Sequence, residues 1–159
     1  MLIEARRFVR RNLERIGGAT AFALPFVFRS DLAAKFQSEA WNLAAFYAAI
    51  FDWSSIQSAF LFGIYAFVLS RSEPFIRAIS DNSVFEELRT YVRRALYLTL
   101  ALTLITIPLV VSSPSPDPSW TDYGLWIVAI ITAFTAYTFL SFIKVLRVFA
   151  KIERLRRTK

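Results

Sequence analysis

From Ala40 to Ser70 the chain carries a single charged residue, Asp52, among aliphatic, aromatic and small side chains. A run of that length constrains the fold more than any other feature. It exceeds what the core of a small soluble domain can cover, whereas a helix in hydrocarbon satisfies its own backbone and needs no cover. Two further apolar stretches, Ala95 to Val111 and Tyr123 to Ile143, each have about the length a helix needs to cross roughly 30 Å of hydrocarbon. A fourth, Ile16 to Phe28, is too short for a straight crossing. It must thin the bilayer, recruit Arg29–Phe36 with Arg29 reaching for the interface, or return on the side it entered.

Composition agrees with this reading. The 159 residues are 56% hydrophobic and 16% aromatic, with 16 Phe and only 4 Gly, a balance typical of membrane helices packed through bulky side chains. With no His and no Cys, the chain has no thiol nucleophile, no imidazole proton relay and no common zinc or haem ligand set.

The net charge of +7 comes from 19 Lys and Arg against 12 Asp and Glu. The basic residues flank the apolar spans, so anionic membrane lipids are the expected partners and direct nucleic-acid binding is not expected. Arg6, Arg7, Arg10, Arg11 and Arg15 precede the first span. Arg71, Arg77, Arg89, Arg93 and Arg94 lie between the second and third. Lys144, Arg147, Lys151 and Arg154 begin the basic tail. Only Arg29 and Lys35 remain for the opposite side. The positive-inside rule then places both termini in the cytoplasm, which requires an even number of crossings, and four fits. Arg29 and Asp31 stand where a signal peptidase would need small residues, so the first span reads as an uncleaved anchor.

The expected architecture is an all-α integral membrane protein, a four-helix transmembrane bundle forming one domain, in a bacterial inner membrane. A basic amphipathic arm (1–15) leads to a short first span (16–36) and a long second span (41–70). A cytoplasmic connection (71–94) follows, with apolar anchors that suggest a short helical hairpin. A third span (95–112), an outer loop (113–122) with alternating Pro114, Pro116 and Pro118, a fourth span (123–143) and a basic amphipathic tail (144–159) complete the chain. Ser83 and Glu86 have the spacing of a capping box opening a helix that runs into the third span. Pro108 is expected to kink or end that span. Arg6, Arg7, Arg10 and Arg11 in the arm, and Arg147, Lys151 and Arg154 in the tail, lie opposite an apolar face, the pattern of helices resting at the headgroup boundary or docking a cytosolic protein partner.

Asp52 carries the sharpest question, because an ionisable residue inside a membrane is costly. Counting about 20 residues back from the boundary at Ser70–Arg71 lifts Asp52 and Trp53 to the outer interface, where Trp is at home and Lys35 or Arg29 can neutralise the carboxylate. Below it, Ser55, Ala59 and Gly63 recur every four residues on the same face, a small-residue ridge for close helix packing within the chain or between copies. Gln57 points away from that ridge and can hydrogen-bond across an interface. Thr99, Thr103 and Thr106 share a face of the third span, and Thr132, Thr135 and Thr138 recur along the fourth. Such hydroxyls either bond to their own helix backbone or, where two faces meet, line a narrow polar pathway.

No phosphate-binding loop, nucleophile elbow, zinc-protease motif or metal-spaced carboxylate cluster is present, so neither catalytic residues nor a cofactor is expected. In size and hydropathy the chain resembles the small four-helix membrane proteins of bacterial antiphage defence systems. That resemblance implies an oligomeric sensor or permeability effector acting beside a cytosolic partner, and it carries over no functional residue. A structural or assembly subunit of a larger membrane complex is the alternative.

Overall fold

A computed structural model describes the backbone of residues 2–38, 40–69, 83–114 and 122–157, with side chains described for 12–38, 40–67, 86–114 and 122–150. The described residues form five helices and no strand: α1 (Leu2–Val27), α2 (Arg29–Gln37), α3 (Leu43–Leu69), α4 (Ser83–Ser112) and α5 (Tyr123–Arg157). Two of them, over Glu86–Ser112 and Tyr123–Ala150, are long and apolar enough to cross a membrane. The first half of the expected cytoplasmic hairpin, 71–82, lies outside the described residues, and its second half, 83–94, is the start of α4.

The helix ends follow local chemistry. Asn42 Oδ1 accepts from the Ala45 amide at 3.0 Å and caps α3. Asp122 Oδ2 does the same for the Leu125 amide at 2.7 Å and caps α5. The helix opening at Ser83 runs through the whole third span, as its capping spacing suggests. Pro108 does not end it. Four more residues follow before Ser113 turns the chain with a φ of 39°, its amide and hydroxyl taking up the Leu109 and Val110 carbonyls.

The first span departs from expectation. The arm and the short apolar segment are one continuous helix, α1, and Arg29–Phe36 does not extend it. The helix is interrupted at Phe28, three residues after Pro25, and α2 follows as a separate element. Proline lacks the N–H that would bond back to the Ala21 carbonyl, so the helix is weakest at this point. The tail behaves in the opposite way: the fourth span and the basic segment form one uninterrupted helix.

The long helices pack in an open arc. α1 lies on α5, α5 on α4 and α4 on α3, while α3 barely touches α5 and α1 makes no substantial contact with α3. At one end of the bundle, Leu61, Leu88, Val92, Ala95 and Val145 form a buried cluster. At the other, below α2, Leu43, Tyr47, Leu102, Val128 and Ile131 form a second. α1 approaches α5 closely at Gly17, where any Cβ would run into Leu140 Cδ1, and at Gly18, which faces the Ala133 carbonyl and Tyr137. Glu14, only 8% exposed, pairs with Lys144 at 3.6 Å across the same helix pair, and that ammonium also lies 4.5 Å from the centre of the Tyr91 ring. One level further in, Arg94 donates to the Tyr137 hydroxyl.

Candidate functional site

α3 is apolar around most of its circumference, so periodicity alone does not choose its inner face. The fold buries Ser54, Gln57, Ser58, Leu61 and Ile64. The Gln57 amide donates to the Thr138 carbonyl on α5 at 3.0 Å, the cross-helix role its position suggested. The Thr103 hydroxyl lies 2.8 Å from Ser54 Oγ on α3 and 2.9 Å from the Thr99 carbonyl; its single proton serves one of them at a time. Polar side chains from three helices therefore meet in the interior. Tyr47 Oη, Gln57 Oε1, Ser58 Oγ and Ser141 Oγ are buried and have no hydrogen-bond partner among the described residues.

The threonines divide between two surroundings. Thr99, Thr106 and Thr138 are fully buried, and each donates to a carbonyl three or four residues earlier in its own helix. Thr132 and Thr135 also donate backward, to Val128 at 2.7 Å and Ile131 at 2.8 Å, but they line an open groove between α3 and α5. The hydroxyls thus satisfy their own backbone first.

The opposite face of α3 carries the small-residue ridge. Asp52, Ala59 and Gly63 are exposed, Ser55 is half-buried, and a Cβ placed on Gly63 would meet nothing within 4 Å. A shallow apolar depression runs over Ala59 and Gly63, bordered by Phe60, Phe67 and Phe149. Close helix approach inside the chain is made by Gly17 and Gly18 instead. As neighbours in a short segment, they lack the spacing of four that marks a small-residue ridge.

The level of Asp52 within the bundle follows from how α3 lies against α5. α3 and α5 run parallel, and the Gln57–Thr138 bond and the Phe60–Phe142 ring contact at 5.6 Å set their register. Asp52 is then level with about Ala133–Ala136, roughly 15 Å from both Tyr123 and Lys144 at 1.5 Å per residue. It sits beside the middle of the apolar stretch of α5 and not at its end. α3 runs past the level of Lys144 by more than a turn, so counting back from Arg71 and counting along α5 give different levels for Asp52. Neither Lys35 nor Arg29 reaches it. Lys35 lies over the Trp41 ring at 4.4 Å, and Asp52 has no partner among the described residues.

The gap between α1 and α3 holds an open cavity of about 820 Å³. Pro25 and Phe28 form one wall, Phe36 and Trp41 the roof, and Phe46 and Val128 the back, with Asp31 and Lys35 at the rim. It shares Phe46 and Thr132 with a smaller groove of about 300 Å³ that continues between α3 and α5 to Trp53 and Phe139. Sequence reading gave no hint of this cleft, because its walls come from four separate helices.

Of the expected headgroup contacts, Arg147 is exposed, while the side chains of Arg6, Arg7, Arg10, Arg11, Lys151 and Arg154 lie outside the described ones. No group of three or more metal-ligating side chains occurs among the described residues. Compared with known protein families, with curated proteins and with solved structures, the chain matches none.

Proposed function

We propose that this is a non-enzymatic membrane protein that works as a homo-oligomer, sensing or altering the state of the bilayer, with the Asp52 face of α3 as the contact between copies. One observation carries the reading: an unpartnered carboxylate is exposed at mid-height of an apolar bundle, directly above a small-residue ridge with open space in front of it. A carboxylate facing lipid at mid-bilayer costs at least about 2.5–3.5 kcal/mol on insertion scales. A second copy laid along Ser55, Ala59 and Gly63 removes that exposure and gives Asp52 polar neighbours or water. A ring of such carboxylates would also offer a path to cations. The basic arms at the termini remain available to anionic lipid or to a cytosolic partner.

The chain has no native Cys, so a single introduced thiol reports proximity cleanly. With Ala59→Cys, oxidation in native membranes is expected to give a disulfide-linked dimer of this chain, and Asp52→Leu is expected to change leakage of a dye from vesicles. A cross-link formed only to a different protein supports the alternative of a subunit in a larger complex, which the aromatic border of Phe60, Phe67 and Phe149 would equally serve. No cross-link of either kind removes the assembly reading.

A further inference from the structure

We infer that the cleft between α1 and α3 binds one acyl chain of a phospholipid with an amine-bearing zwitterionic headgroup, phosphatidylethanolamine in kind. The inference rests on the membrane reading above but not on assembly, since none of the residues lining the cleft belongs to the ridge of Asp52, Ser55, Ala59 and Gly63.

The shape sets the first limit on the occupant. A chamber of about 820 Å³ and a slot of about 300 Å³ lie side by side, with Phe46 and Thr132 lining both. From Val128 to Phe139 this path follows α5 for about 16 Å. A long path that changes width suits a flexible chain better than a rigid ring system. The chemistry sets the second limit. The walls are almost wholly aliphatic and aromatic, and the Thr132 hydroxyl already donates to Val128. A peptide would leave its backbone groups unpaired there, at a cost of a few kcal/mol each. A hydrocarbon chain leaves none.

The rim supplies the third limit. Asp31 and Lys35 stand one turn apart on α2, both exposed, and no ion pair joins them. Trp41 sits beneath Lys35 with its ring 5.7 Å from Phe36, as expected of an aromatic at a membrane interface. A rim with one ammonium and one carboxylate is neutral overall. It therefore matches a headgroup carrying both a phosphate and an ammonium better than an anionic glycerol headgroup. Lys35 would take the phosphate and Asp31 the amine.

The test reconstitutes the full chain into vesicles of phosphatidylethanolamine and phosphatidylglycerol, checks flotation, and then extracts the protein into mild detergent for native mass spectrometry. Wild type is expected to float and to retain one phosphatidylethanolamine in preference to phosphatidylglycerol. Thr132→Phe, which fills the passage, and Lys35→Glu, an exposed change that spares the packing, are each expected to lower retention by about tenfold, equivalent to about 1.4 kcal/mol. Leu104→Phe, on an outward face of α4 that is 66% exposed, is expected to behave as wild type. A protein that floats but retains no phospholipid, or retains both kinds equally, overturns the inference and leaves the membrane reading standing. Retention unchanged by both Thr132→Phe and Lys35→Glu overturns it as well. A protein that does not float overturns the membrane reading and the inference together.

Discussion

The side-chain amide of Gln57 donates to the backbone carbonyl of Thr138, 81 positions along the chain, from a site only 2% exposed. This bond sets the height of α3 against α5, and with it the level of Asp52. Hydrogen bonds between membrane helices contribute about 0.6 kcal/mol on average and up to about 1.7. Gln57→Leu removes the bond and also the unpartnered Oε1, so the loss is expected to stay near about 1 kcal/mol. Gln57→Ala leaves a cavity too and is expected to cost about 2 kcal/mol or more. Unfolding titrations of the two variants in detergent would separate bond from packing; equal losses would contradict the assignment.

Gly17 and Gly63 predict opposite outcomes for the same substitution. With Gly17→Leu the new side chain meets Leu140 and must push α1 off α5, an overpacking expected to cost about 1–3 kcal/mol. Gly17→Ala is milder, because the end of Leu140 can rotate away. At Gly63 there is open space, so Gly63→Leu is expected to leave monomer stability within about 0.5 kcal/mol while lowering the disulfide yield when combined with Ala59→Cys. Thermal unfolding read beside cross-linking yield checks both.

Glu14 and Lys144 tie α1 to α5 across a boundary where the carboxylate is nearly buried. Removing one partner strands the other. Glu14→Gln is therefore expected to cost about 1–2 kcal/mol, less than a fully buried pair because Lys144 is partly exposed. A double-mutant cycle with Lys144→Met should return a coupling energy clearly above zero. Additive effects would mean that Lys144 acts mainly through the Tyr91 ring.

The helix caps give a simple control. Asn42→Ala and Asp122→Ala each delete the acceptor of a first-turn amide and are each expected to cost about 1 kcal/mol, or a fall of about 2–4 °C in Tm for a chain of this size. Asn42→Asp is expected to retain most of the cap. Circular dichroism melts would register the differences.

Much of the secondary structure was legible in the residues themselves. Stretches nearly free of charge mark the long helices, Ser83 with Glu86 falls at the start of α4, and Gln57 stands out as the one amide within α3. Chain order alone also makes α3 and α4 antiparallel neighbours once 70–82 is read as a short connection. Ser54, Gln57 and Ser58 recur at helical spacing and carry the signal of an inward polar stripe, though the more numerous threonines mask it. Pro25 was visible too, but its position within the last turn of α1 did not say that the helix would be interrupted at Phe28.

Residue order is enough to show which segments are helical and apolar and how charge divides between their ends. Which face of each helix turns inward was settled by packing. Lipid and protein core are equally apolar, so the mostly apolar circumference of α3 gives little to orient it beyond the short stripe of Ser54, Gln57 and Ser58. Its register depends on contacts with α4 and α5, and those contacts bring Asp52 to mid-height and turn Gly63 outward. The cleft under α2 is likewise a product of the arc, in which α1 and α3 are held apart by the helices they each pack against.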